Sequence, residues 1–329
     1  MKRLFVNIRF FIFITLIFYF ISYAQNQHLI NPANLSFIIK SYQNNIQNMD
    51  GSQSLLFKNY HNSITTKMYD ILSYGNQDVP KNNNKNIPRD LLNAGNILLS
   101  DFVHFYSSPL RWKWKDIILL GGITFSTGLI YIYDQEILKA VQRNRSTFIL
   151  HQLLNIGDFF EPVGHMGVMN KYYFAGLGIG YIFNLRPLTM VSGQILESYF
   201  IAGTFKNLSS ILVGRKRPFE GQGPYSFSFK GGTSFPSGHA LNIFQLATIL
   251  SYHIRFLPFQ VMAYGIALGI SLQRIESENH WPSDVYFATI FGSLVAKTVL
   301  RLHEKRRISI TPTVMPKSKI FSLQMSFYW

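Results

Sequence analysis

From about residue 90 to residue 304 the chain is a succession of long apolar segments with large side chains at helical spacing and no alternating stretch between them. Such a chain buries its apolar faces only by packing helix against helix. The pattern predicts an amphipathic helix near 91–106 and six longer ones near 116–138, 165–183, 187–213, 238–254, 258–276 and 282–304. The fold class expected is therefore all-α, a six-helix bundle. Pro187, Pro258 and Pro282 mark first helical turns, where the missing N–H costs nothing. Most of the six segments are 17 to 25 residues long, enough to cross a hydrocarbon core of about 30 Å. Gln194, Glu197, Lys206, Asn242, Gln245 and Lys297 fall inside these segments, and lipid tolerates them only if they face the bundle or a wet cavity. The expectation is a membrane-embedded bundle, with a soluble bundle as the alternative.

The flanks differ in character. Met1-Lys2-Arg3, an apolar run from Phe10 to Phe20 and small residues at Ser22 and Ala24 predict a signal peptide over residues 1–24. An uncleaved anchor is the alternative. Residues 25–90 form a polar extension rich in Asn, Gln and Ser, whose short side chains compete for backbone hydrogen bonds and offer little to bury. The helical domain runs over 91–304. After it, residues 305–329 give a basic stretch and an alternation of Ile308, Ile310 and Val314, then Phe321, Leu323, Met325 and Phe327, which predicts a C-terminal β-hairpin. Two strands are too few for an outer-membrane barrel.

Composition narrows the function. The 329 residues carry a formal charge of +15, yet only 14% are charged and 47% are apolar. That balance argues against nucleic acid as a partner and suits an anionic membrane or anionic substrates. With no cysteine in the chain, disulfides, thiolate metal sites and cysteine nucleophiles are excluded.

Three short segments offer phosphate chemistry. Arg215, Lys216 and Arg217 precede Pro218 and a glycine-rich loop; Pro236-Ser237-Gly238-His239 opens a helix; Arg274 is followed by His280 and Asp284. A helix N-terminus presents unpaired N–H groups, so Ser237, Gly238 and His239 can cradle a phosphate. His239 is placed to protonate a leaving oxygen. The four-residue spacing from His280 to Asp284 lets the carboxylate hold one imidazole nitrogen and leave the other as a nucleophile. The Arg274 fork can hold two phosphate oxygens. Alternating helix directions bring Arg217, His239, Arg274 and His280 to one end of the bundle.

At these residues the chain resembles the type-2 phosphatidic acid phosphatase superfamily, which includes bacterial acid phosphatases and vanadium haloperoxidases. That family's pattern is Lys, six residues, Arg-Pro; Pro-Ser-Gly-His; then Ser-Arg, five residues, His, three residues, Asp. Arg217-Pro218, Pro236 to His239, Arg274, His280 and Asp284 match, whereas the expected Lys is Ser210 and the expected Ser is Gln273. Lys206, one helical turn before Ser210, and Lys216 are the lysines available to substitute. The resemblance implies a metal-independent phosphatase with no cofactor. His280 would form a phosphohistidine, Asp284 would orient it and His239 would act as the acid. Arg217, Arg274, Ser237 and Gly238 would hold the phosphate oxygens.

Membrane-length helices with a phosphate site at one end favour a lipid phosphate or pyrophosphate as substrate. The opposite end carries Arg111, Lys113, Lys115, Arg186, Arg255, Lys305, Arg306 and Arg307, which by the positive-inside tendency is cytoplasmic. The site is then expected to face the periplasm from the inner membrane of a bacterial-type envelope. A cleaved signal peptide followed by six spans would turn it inward, so a soluble periplasmic phosphatase or vanadate-dependent peroxidase stays open. So does a non-catalytic protein that binds lipid phosphate. Nothing in the sequence bears on the oligomeric state.

Overall fold

The computed structural model describes residues 87–229, 231–314 and 321–327. The signal or anchor over 1–24 lies outside them, as does the polar extension up to residue 86. Residues 87–90, counted with that extension above, instead open the first helix.

The described residues form an all-α fold of nine helices: α1 (Ile87–Tyr106), α2 (Trp114–Ile132), α3 (Asp134–Arg143), α4 (Phe148–Gly164), α5 (Met166–Ile182), α6 (Arg186–Val213), α7 (Gly238–His253), α8 (Leu257–Glu276) and α9 (Pro282–Arg307). The sequence pattern anticipates seven. The segment 116–138 is two helices, because the chain breaks at Tyr133 and turns the carboxylate of Asp134 into the protein, where Arg215 and Ser283 bind it. The other addition, α4, lies where no helix was read; Gly157 and Pro162 interrupt its pattern.

Gly157 has a packing reason to be there. A Cβ on it would lie 2.3 Å from the Gly269 carbonyl oxygen, and one on Gly269 would lie 2.7 Å from that of Leu153. The backbones of α4 and α8 therefore touch, which sets the register between Glu161 and Arg274 a turn or so further along. Gly157→Val is expected to cost about 1–3 kcal/mol by forcing this contact open. A lowered midpoint in thermal unfolding checks it.

The central helix is α7, buried from Ala240 to Ser251 except at Phe244. Its Ala240 and Leu241 join Ile201 and Ala202 of α6, and Val285, Ala288, Val295 and Val299 of α9, in one apolar core. Phe102, Phe105 and Tyr106 of α1 pack against it. Several polar side chains within these helices turn inward and find partners. Gln245 Nε2 donates to the Ser198 carbonyl and hydroxyl at 2.7 and 2.6 Å, and Asn242 Nδ2 donates to the Gly164 carbonyl at 3.1 Å. Gln194 meets His253 at 2.7 Å. Asp101, Glu197, His303 and Arg306 form a second polar cluster joining α1, α6 and α9.

Among the described residues, two helices are long and apolar enough to cross a membrane: α2, none of which is buried in the fold, and α9 as far as Arg306. On α2 the apolar side chains Ile118, Leu119 and Phe125 are all exposed, the outward apolar face that lipid accepts. Beyond α9, strands β1 (Ile308–Val314) and β2 (Phe321–Phe327) pair antiparallel, Ile308 opposite Phe327 and Val314 opposite Phe321. The residues between them, 315–320, lie outside the described ones.

Candidate active site

The connection from α6 to α7 builds the floor of the site. Gly214 ends α6 in the left-handed region at φ +58°, where a Cβ would also strike the Ser228 carbonyl oxygen at 2.0 Å. The chain then folds back on itself: Lys216 N–H donates to Ser226, Ser228 N–H to Gly214 and Ser234 N–H to Arg215. This return path delivers Ser234 to His280.

His280 is buried, and its Nδ1 lies 2.6 Å from the Ser234 carbonyl oxygen. A carbonyl only accepts, so Nδ1 carries the proton and Nε2 keeps its lone pair. Burial holds the imidazole well below the usual histidine range, and the positive charge of Arg217 adds to that. The ring is thus a neutral imidazole in its nucleophilic tautomer. Asp284 does not touch it, contrary to the role read from the four-residue spacing. The Asp284 carboxylate instead accepts from Arg215 Nη1 at 2.6 Å, from the Trp281 N–H at 3.2 Å and from the Ser234 hydroxyl. It reaches His280 indirectly, through Ser234 and through the backbone N–H of the adjoining Trp281.

Arg215 is the centre of that substructure. Its Nη2 lies 2.6 Å from Asp134 Oδ2, its Nη1 donates to Ser283 Oγ at 2.8 Å, and Nε donates to the Pro224 carbonyl at 3.0 Å. The guanidinium also lies over the rings of Tyr131 and Trp281, 4.8 and 5.5 Å from their centroids. Arg215, Asp134 and Asp284 are all inaccessible to solvent or nearly so. One cation thus faces two buried carboxylates and joins α3 and α9 to the loop.

On the other side of His280, Glu161 from α4 bridges His239 and Arg274. Its Oε1 lies 2.8 Å from His239 Nε2 and 3.1 Å from Arg274 Nη1. Arg274 Nε donates to Gln273 Oε1 at 2.6 Å, so the residue standing where Ser was expected helps aim the guanidinium. Burial pushes His239 below the usual histidine range, while Glu161 pulls it up. The His239 contact in turn holds Glu161 below the usual carboxylate range. A phosphate dianion bound beside it would add to the pull of Glu161 and favour the imidazolium. Glu161→Gln removes a charge that favours imidazolium. The basic limb of the pH–kcat/KM profile is expected to move to lower pH, with activity down about 10²-fold; initial rates across pH check both.

The first turn of α7 is as the sequence suggests, with one change. The Ser237 N–H donates to the Asp284 carbonyl at 3.3 Å and is not offered to a ligand. The Ser237 hydroxyl neither caps the helix nor finds any hydrogen-bond partner among the described residues, although it is fully buried. An orphaned buried hydroxyl at a helix N-terminus calls for an anion. Gly238 and His239 add first-turn N–H groups that have no helical acceptor. The Arg217 Nε donates to Thr233 Oγ1 at 3.0 Å and its Nη1 reaches Asn279 at 3.5 Å, which leaves donors for a ligand. Lys216, also read as a phosphate ligand, is elsewhere: its Nζ donates to the Gly231 carbonyl at 2.9 Å and pairs with Glu220 at 3.2 Å.

Arg217, His239, Arg274 and His280 are close enough for the other three charges to bear on His280. Sequence reasoning missed Glu161, Asp134 and Ser234, and it read Arg215 only as part of a basic run. Glu161 lay in the unread helix, whose apolar positions Leu150, Leu153, Leu154 and Phe160 were the available signal. For metal, Asp101, Glu197 and His303 bring one ligand atom each within 4.8 Å of one another. They sit near the far end of α9, roughly 30 Å along the helix from Asp284.

Residues 192–308 match the profile of the PAP2 superfamily. A lipid A 1-phosphatase of Rhizobium etli is 28% identical over 197 residues, covering 56% of this chain and 82% of the relative. One of Rhizobium johnstonii is 28% identical over 112 residues, covering 32% and 45%. Among solved structures, a transmembrane PAP2-type phosphatidylglycerolphosphate phosphatase of Bacillus subtilis aligns with a TM-score of 0.42 at 20% identity, over 59% of this chain and 98% of that one.

Proposed function

The chain belongs to the PAP2 superfamily through residues 192–308 and is a phosphoric ester hydrolase; from that premise we propose that it removes phosphate from lipid phosphate or pyrophosphate esters by way of a phosphohistidine on His280. The observation that carries the reading is a neutral imidazole with a free Nε2, beside an orphaned buried hydroxyl and guanidiniums with donors to spare.

In the first step Nε2 of His280 attacks the terminal phosphorus and the bond from phosphorus to the leaving oxygen breaks, that oxygen departing as the lipid alkoxide from a monoester or on the lipid-linked phosphate from a pyrophosphate. The charge on the equatorial oxygens is met by Arg217, Arg274, the Ser237 hydroxyl and the N–H groups opening α7. His239 gives its proton to the departing oxygen and becomes neutral. In the second step His239 takes a proton from water, the hydroxide attacks the phosphohistidine, and phosphate leaves with the His280 lone pair restored. Each residue ends as it began, and all the charge stabilisation is preorganised protein.

The two Rhizobium relatives make lipid A phosphate the first substrate to try. The exposed apolar surface of α2 supports a position in the membrane. The proposed setting is the inner membrane with the site toward the periplasm, on the charge asymmetry of the helix ends. The test is purified protein in detergent with EDTA, assayed against lipid A phosphate, phosphatidate, phosphatidylglycerophosphate and undecaprenyl pyrophosphate, with acid quenching to trap an acid-labile phosphoenzyme. Turnover of one of them with a trapped phosphohistidine is expected. Lipid binding with no release of phosphate from any would sink the proposal.

A further inference from the structure

Lys206 lies on α6 two turns before its end, half-buried, and its Cε is 3.8 Å from where a Cβ on Gly238 would stand. The end of the side chain thus lies against the first turn of α7 at Gly238, the residue that follows Ser237. Among the described residues the Lys206 ammonium has no hydrogen bond and no ion pair. Arg217 is close enough for its charge to press on it, and burial presses in the same direction. A cation placed without a counter-ion, next to another cation and a helix N-terminus, is stable there chiefly when an anion shares the space. The other two candidates for this task are otherwise engaged. Lys216 is tied to Glu220 and Gly231, and Ser210, one turn beyond Lys206, donates its hydroxyl to the Phe235 carbonyl at 3.1 Å.

We infer that Lys206 is a phosphate ligand of this site, its ammonium reaching the bound phosphate from one helical turn below the position of Ser210. The inference rests on the phosphate-site reading above and adds the residue that completes the charge. Lys206 and Ser210 share a face of α6 four residues apart, so the same cation delivered from either position approaches the same end of α7.

The probe is orthovanadate, a phosphate mimic, with affinity measured by titration calorimetry on the full-length protein in detergent. Lys206→Met is expected to weaken binding roughly 10- to 100-fold, the worth of one charge-assisted contact. Moving the lysine with the double variant Lys206→Met, Ser210→Lys is expected to recover most of that loss. Affinity of Lys206→Met within twofold of wild type overturns the inference, and so does a double variant no tighter than the single one. Should the single variant not fold, wild-type protein acylated with acetic anhydride decides the matter. Orthovanadate must then protect Lys206 while leaving the exposed Lys297 reactive, and equal labelling of Lys206 with and without it refutes the assignment. Wild-type protein that binds orthovanadate through Lys206 yet hydrolyses no ester would overturn the catalytic reading and leave this one standing.

Discussion

His280→Ala is expected to abolish phosphate release, with kcat/KM falling by roughly 10⁴-fold or more, because the proposed covalent step would have no other nucleophile. In the proposed mechanism every other group stabilises charge or moves a proton, and His280 is the imidazole whose Nδ1 is tied to a carbonyl with Nε2 left over. His280→Gln sharpens the test. Its amide nitrogen can still donate to the Ser234 carbonyl, so the loop keeps a partner, but it is no nucleophile. The two variants are expected to be equally inactive, to bind orthovanadate in the wild-type range within about tenfold, and to give no acid-quenched phosphoenzyme. Substantial turnover by either would place the covalent step elsewhere or remove it.

Arg215→Met is expected to destabilise the fold by about 3–5 kcal/mol, more than any other single change at the site. The substitution leaves the carboxylates of Asp134 and Asp284 facing each other's surroundings without a cation, and breaking a buried ion pair from one side costs about that much. Ser283, Ser234 and the Pro224 carbonyl lose their arrangement with it, and the faces of Tyr131 and Trp281 lose the guanidinium between them. Arg215→Lys should recover little, since one ammonium lacks the fork that reaches both carboxylates and the carbonyl. Chemical unfolding followed by tryptophan fluorescence measures the loss. A change under about 1 kcal/mol would mean the two acids are neutral and the clamp is weak.

Much of the site was legible because its parts are punctuated by residues with little freedom. Pro236-Ser237-Gly238-His239 announces a helix start, Pro282 announces another, and Arg217, Arg274 and His280 follow from reading which helix ends share a side. The helices that carry an uninterrupted apolar pattern, α6 to α9, were found close to their limits. What could not be read was long-range. Glu161 matters through His239 and Arg274, each more than seventy residues away, and α4 was obscured by Gly157, whose presence makes sense only once Gly269 lies against it. The partition of the basic run was equally hidden. Arg215, Lys216 and Arg217 look alike in sequence, yet the first is a buried clamp, the second a rim ion pair and the third faces His280. The spacing from His280 to Asp284 was read as a direct contact; a main-chain carbonyl took the place assigned to the carboxylate.

That carbonyl belongs to Ser234, and every amino acid has one. The tautomer of His280 is therefore recorded in the path of a loop and not in the identity of a side chain. Exchange of residues at 234 can remove the hydroxyl that meets Asp284 without removing the oxygen that meets His280. Selection on this feature acts on whatever keeps the loop folded back: the left-handed turn at Gly214 and the ladder from Lys216 to Ser226. Residues around it can change without altering the tautomer, provided the turn survives.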